Sequence, residues 1–164
     1  MILKISSTKI KSAEALLDDN NDKYMHTSEE LPIEIIIALK EEVSITKIVI
    51  KSNEHYSSTI NEFTVFGAFV LEKESNENWF PLVEAKARNV AGEQNFRTVN
   101  KVVRFLKLRV TSAHGVWKYF TMNQIKVHGD SLYAEAMNNY KEKINEADIE
   151  PEVDVSSIHL YDDL

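Results

Sequence analysis

An all-β sandwich or jelly roll is the fold class that this 164-residue sequence predicts, and three observations carry the prediction. Phe63, Val65 and Gly67 alternate with Thr64 and Phe66, and Val102, Arg104, Leu106, Leu108 and Val110 alternate with Val103, Phe105, Lys107 and Arg109. That period of two marks a strand with one buried face. Residues 33–39 and 43–50 are rich in β-branched side chains. Asn, Ser, Gly and Pro then punctuate the chain into about eight short strands. Helical patterning is confined to a short N-terminal turn and a C-terminal helix.

Taken in order, Ser12 stands as an N-cap for a helical turn through Ala13, Ala15, Leu16 and Leu17, ended by Asp18-Asp19-Asn20-Asn21. Pro32 suits the start of a strand over 33–39, whose run of isoleucines predicts burial on both faces, with a short helix as the alternative. A second strand covers 43–50, and the chain turns after Lys51-Ser52-Asn53. Residues 72–78 read as a charged surface loop before Trp79-Phe80-Pro81-Leu82-Val83. Gly92 marks a turn before 94–99. The face bearing Val102 is mostly apolar, so that strand starts buried and ends near solvent. Ile125 and Val127 form a closing strand before Gly129.

Beyond Gly129 the pattern changes. The sandwich is expected over 1–129, a helix capped by Ser131 over 130–145, and an acidic extended tail over 146–164. Lys141 and Lys143 would favour the C-terminal end of that helix. Val153, Val155, Ile158, Leu160 and Tyr161 punctuate the tail, and the sequence allows either a solvated tail or a segment that orders on a neighbouring protein.

Composition narrows the function. A net charge of −7 argues against nucleic acid or an anionic membrane as partner, since both would repel the chain. With no cysteine there is no disulfide, thiol catalysis or cysteine zinc site, and the balance leans to a soluble, reducing (cytoplasmic) setting. The richest apolar stretch, residues 33–39, is far short of the roughly 20 residues that span a bilayer, so no direct membrane insertion is expected.

No catalytic residue, cofactor or metal ligand is assigned. His26, His55, His114, His128 and His159 lack metal-ligand spacing, and no nucleophile elbow or phosphate-cradling glycine loop occurs. The pairs Glu29-Glu30, Glu41-Glu42 and Asp162-Asp163 are adjacent in sequence, so on strands they would face opposite ways. Asp18, Asp19 and Asn20 offer oxygens to a hard cation such as Ca²⁺, but the closing-strand position that should add an acid holds Gln124, and a solvated turn is the reading kept.

The candidate recognition surface is aromatic. His55 and Tyr56 lie in one polar loop before a strand, and His114, Trp117, Tyr119 and Phe120 in another. In a sandwich such loops gather at one end, and aromatic side chains anchor interfaces. The partner-binding set is therefore His55, Tyr56, His114, Trp117 and Tyr119, joined by Val155, Ile158, Leu160 and Tyr161 of the tail. Trp117 and Phe120 could equally plug the end of the core.

The order of short elements resembles the SUN domain, most closely its mid-SUN (Slp1-like) branch, within the galactose-binding-like or discoidin-type β-sandwiches. The resemblance runs through Asp19-Asn20-Asn21-Asp22-Lys23-Tyr24, Tyr56-Ser57-Ser58 with Phe63, Trp79 with Leu82, Ala87-Arg88-Asn89, Gln94-Asn95-Phe96, Ser112-Ala113-His114-Gly115 and Ile125-Lys126-Val127-His128-Gly129, covering roughly residues 10–130. Where that branch usually carries cysteines, this chain has Ser28, Lys40 and Phe120.

The resemblance implies a non-catalytic protein-interaction or scaffold module. Its partners would be other protein subunits, as in a membrane-associated complex of the endoplasmic reticulum or nuclear envelope. From a different class comes a discoidin-like module that binds carbohydrate or another small ligand through loop aromatics. A DOC-like module of ubiquitin-ligase machinery shares the closing Gln-Ile-Lys pattern and fits the middle elements less well.

Overall fold

The computed structural model describes residues 1–71 and 78–149, the last three as backbone alone. Among the described residues, ten strands and two helical segments follow one another. After β1 (Ile2–Ile5) comes a 3₁₀ turn (Ala13–Leu17), then β2 (Met25–Thr27), β3 (Ile33–Ser52), β4 (Thr59–Ile60) and β5 (Glu62–Ala68). The chain continues through β6 (Phe80–Lys86), β7 (Gly92–Val110), β8 (Ala113–His114), β9 (Phe120–Met122), β10 (Gln124–Ser131) and α1 (Leu132–Ile149). The main sheet runs β1-β3-β7-β5-β6 with β10 on β3, and two short pairs, β2-β9 and β4-β8, complete the fold.

The expectation of about eight short strands gives way to two very long ones: β3 has 20 residues and β7 has 19. The segment Lys40-Glu41-Glu42 reads as a break, but no Gly or Pro is there to end the strand. Instead the ladder bulges. Ala38 pairs with Phe105 and Val43 with Val103, so four residues, 39–42, stand against Arg104, whose Nη1 donates to the Lys40 carbonyl at 2.5 Å.

The bulge bends the sheet into two layers. Phe63 is paired with Val110, while Phe96 is paired with Ile48. Positions 96 and 110 lie fourteen residues apart in β7, about 46 Å along a straight strand. Yet the Phe63 and Phe96 rings meet edge to face with centroids 4.9 Å apart. The β3–β7 ribbon must therefore fold back over itself, and the faces it brings together enclose the core: Ile33, Ile35, Ile45, Ile48, Ile50, Val65, Leu106 and Leu108, all at most 1% exposed. Burying each such side chain is worth about 1.5–3 kcal/mol.

Bends also correct the expected faces. Along residues 33–37, Ile33, Ile35 and Ile37 are buried and Ile36 is half-buried, so this run has one core face rather than two; burial on both faces appears further on, at Ile48, Val49 and Ile50. In β7 the bulge shifts the phase, so Val103 enters the core with Leu106 while Val102 stays half-buried. Trp79 lies outside the core, where Lys107 Nζ sits 4.8 Å from its ring centroid and 5.1 Å from that of Phe66.

The N-terminal turn forms as expected, but without the expected cap. Ser12 lies in the left-handed region (φ 57°) and its side chain makes no capping bond. The Ala15 amide bonds the Ser12 carbonyl at 3.0 Å, while Leu16 drops into the core. Ser131 does cap α1, its Oγ accepting from the Ala134 amide at 3.2 Å. That helix extends to Ile149, past the expected end at 145, which moves Lys141 and Lys143 into its middle. Residues 72–77 of the expected surface loop, and Val155, Ile158, Leu160 and Tyr161, lie outside the described residues.

Candidate functional site

At one end of the sandwich the loops around residues 18–24, 52–58, 87–91 and 115–119 converge, and buried amide and hydroxyl side chains tie them together. Asn123, 2% exposed, accepts from the Asn53 amide at 2.8 Å. Its Nδ2 lies within 3.3–3.4 Å of the Asn21 and Lys23 carbonyls and Glu54 Oε1. Gln94 exchanges two bonds with the Arg88 backbone, 2.7 and 2.8 Å. Ser58 Oγ accepts from the Trp117 amide at 3.1 Å, and the Ser57 and Thr121 hydroxyls lie 2.6 Å apart. Breaking such a buried pair costs about 1–3 kcal/mol, so these loops are held in place.

Side chains project from this clamped base. Tyr56 has φ 59°, a left-handed conformation that costs a non-glycine residue about 1–2 kcal/mol, and its ring is 83% exposed. Trp117 is 53% exposed, and the two rings meet edge to face at 5.8 Å; His55 adjoins Tyr56 at 6.4 Å. Gly115, at φ 91°, makes the turn that presents Trp117, and a Cβ there would come within 3.2 Å of the indole. A second aromatic row runs Tyr24–His26–Tyr119, with centroids 5.9 and 6.1 Å apart.

Two grooves flank the 52–57 loop. One, about 400 Å³, lies between that loop and Asn89, Val90, Ala91 and Trp117. The other, about 310 Å³, is walled by His55 and Tyr56 on one side and by Tyr24, His26 and Tyr119 on the other, with Glu54, Ser57 and Thr121 also lining it. Of the residues singled out from sequence, His55, Tyr56, Trp117 and Tyr119 therefore come together here. His114 does not line either groove: on β8 it pairs with Thr59, and its Nε2 lies 2.8 Å from the Ala87 carbonyl, bracing the 87–91 loop. Phe120 is buried at 4% and closes the core. Tyr24, His26 and Glu54 were not assigned to the recognition surface from sequence, because a three-residue strand with its flanking residue and a lone carboxylate carry no periodic signal.

The Asp18–Asn20 turn is satisfied from within. Asp18 Oδ1 accepts from the Asn20 amide at 2.9 Å and Oδ2 from Lys23 Nζ at 2.9 Å, and these contacts hold its carboxyl below the usual carboxylate range. Gln124 Nε2 donates to the Asp18 carbonyl at 2.9 Å and to Asp19 Oδ1 at 3.1 Å, so an amide donor faces the oxygens that a cation would need. Among the described residues, no group of three or more His, Cys, Asp or Glu could hold a metal, and no helix is long and apolar enough to cross a membrane.

Solved structures share this fold. The C-terminal domain of a chitobiase from Bacteroides fragilis superimposes with a TM-score of 0.67 at 19% identity, over 80% of this chain and 94% of that one. A family 32 CBM from C. perfringens, solved in complex with galactose, gives 0.61 at 14% identity, over 76% and 91%. In sequence, the chain is 33% identical over 127 residues to SUN domain-containing protein 4 of Arabidopsis thaliana. It is 24% identical over 138 residues to the SUN domain-containing ossification factor of Homo sapiens. These matches cover 76% and 79% of this chain but only 21% and 11% of those proteins. Residues 6–131 match the family described as Sad1 / UNC-like C-terminal, a stretch that takes in β2 to β10 and both aromatic rows, and the chain belongs to that family of SUN domains.

Proposed function

We propose that this SUN domain is a non-catalytic protein-interaction module, a subunit of a larger assembly, whose contact surface is the loop rim around Tyr56 and Trp117. The observation that carries the reading is Tyr56 itself: a large ring held in water by a left-handed backbone that favours glycine. Nothing in the core needs it there, whereas a rigid exposed aromatic is what anchors an interface. The tail residues Val155, Ile158, Leu160 and Tyr161 are proposed to extend that contact, and His114 to support it by bracing the neighbouring loop.

A photoreactive phenylalanine at position 56 tests this. The expected result is a cross-link to one discrete protein, lost when Trp117→Ala is added at unchanged melting temperature; removing residues 150–164 should weaken it. Absence of any protein adduct would overturn the proposal. The second reading, carbohydrate binding, is supported by a groove that Tyr24, Tyr56 and Tyr119 line together with the Ser57 and Thr121 side chains. Specific sugar binding on a glycan array, abolished by Tyr119→Ala, would favour it.

A further inference from the structure

We infer that the groove between the two aromatic rows takes a cationic side chain, a lysine or arginine from a basic, extended segment of the partner. This rests on the protein-interaction reading and adds the chemistry of the occupant. Tyr24 and His26 with Tyr119 form one wall, and His55 with Tyr56 the other, so π faces and edges border a space of about 310 Å³. An ammonium or guanidinium head fits such a space, and aromatic faces attract it. The Tyr119 ring already holds a cation, Lys118 Nζ at 5.5 Å from its centroid, which a partner's cationic head would displace.

The groove also supplies a counter-charge. Glu54 lines it, receives a 3.3 Å bond from Asn123 Nδ2 at Oε1, and has no ion pair among the described residues. A partner ammonium reaching Glu54 would complete a pair that the chain leaves open. Tyr24 and His26 also line a neighbouring trough of about 520 Å³ that holds Glu14, Asp18 and Asp22 against the single cation Lys23. A basic segment leaving the aromatic groove past Tyr24 would meet further negative charge, and the whole chain carries −7. An acidic segment would meet repulsion along the same path.

The test is nuclear magnetic resonance titration of the full chain with a nine-residue Gly/Lys peptide, the same peptide with every lysine acetylated, and a Gly/Glu peptide. Expected are saturable shifts at Tyr24, Glu54, Tyr56 and Tyr119 with the lysine peptide alone, weakened by added salt. Glu54→Gln should weaken binding about ten-fold and Tyr119→Leu about five-fold, with backbone spectra otherwise preserved. Equal binding of the acetylated peptide, or shifts confined to other surfaces, would overturn the inference. If the cross-link from position 56 persists in Glu54→Gln and is indifferent to salt, the cation inference fails and the interaction reading stands. If both the cross-link and the titration are blank, both fail.

Discussion

Ile35, Ile45, Ile48 and Leu108 are as buried in the middle of the sandwich as Asn123, Gln124 and Gln94 are at its loop rim, yet the two regions are held by opposite means. In the middle, β-branched and aromatic side chains exclude water and little depends on direction. At the rim, each buried amide is committed to named backbone atoms: Gln94 to Arg88, Asn123 to Asn53 and Gln124 to Asp18. Apolar burial tolerates a substitute of similar volume. A buried amide fixes a loop to within a hydrogen bond's tolerance and tolerates little. Bulk stability resides in one region and positional accuracy in the other, which holds the exposed rings of Tyr56 and Trp117 in a set arrangement.

Substitutions can sharpen or break this division. The largest loss is expected from Phe63→Ala, which empties the contact between layers: about 3–5 kcal/mol by denaturant melting, with sheet and rim unfolding together. Gly129→Ala comes next, about 1–3 kcal/mol, because a Cβ there would lie 2.2 Å from the Ser44 carbonyl where β10 shifts register on β3. Asn123→Ala should cost about 1–3 kcal/mol. Its signature should differ: amide exchange rising at Asn53 and the 52–58 loop while core amides stay protected. Uniform loss of protection would break the distinction between rim and middle.

The smallest effect belongs to Asp18. Its carboxyl lies below the ordinary carboxylate range in the folded chain, through the Asn20 amide and then Lys23. The stability it adds is therefore present above the unfolded carboxylate value and is lost as pH falls through the lowered one. The difference in melting temperature between the native chain and Asp18→Ala should shrink as pH drops towards that lowered value. A difference that stays constant would assign the turn's stability to groups other than this charge.

The sequence made the sandwich legible because alternation at Phe63–Val65 and Leu106–Leu108 reports a buried face directly. It hid the length of β3 and β7, since Lys40-Glu41-Glu42 looks like a turn by composition and is a bulge by geometry. Tyr56 and Trp117 stood out as aromatics in polar loops. Tyr24 and His26 did not, because their place depends on β2 pairing with β9, which brings position 26 opposite Thr121, far away in sequence. Glu54 was one acid among 26 Asp and Glu, and only the loops closing around it set it apart. His114, placed at the rim by motif, lies 2.8 Å from the Ala87 carbonyl, a contact that no sequence pattern announces.

The continuous β3–β7 ribbon carries a mechanical consequence. Floor and ceiling of this sandwich share the same two unbroken strands, so the layers cannot part unless both β3 and β7 give way. A protease cut at the bulge, between Lys40 and Glu41, would sever β3 and leave β7 still joining the two layers. Strain applied to the aromatic loops by a bound partner is carried through covalent bonds into the opposite layer, and the domain should yield to force in a single step.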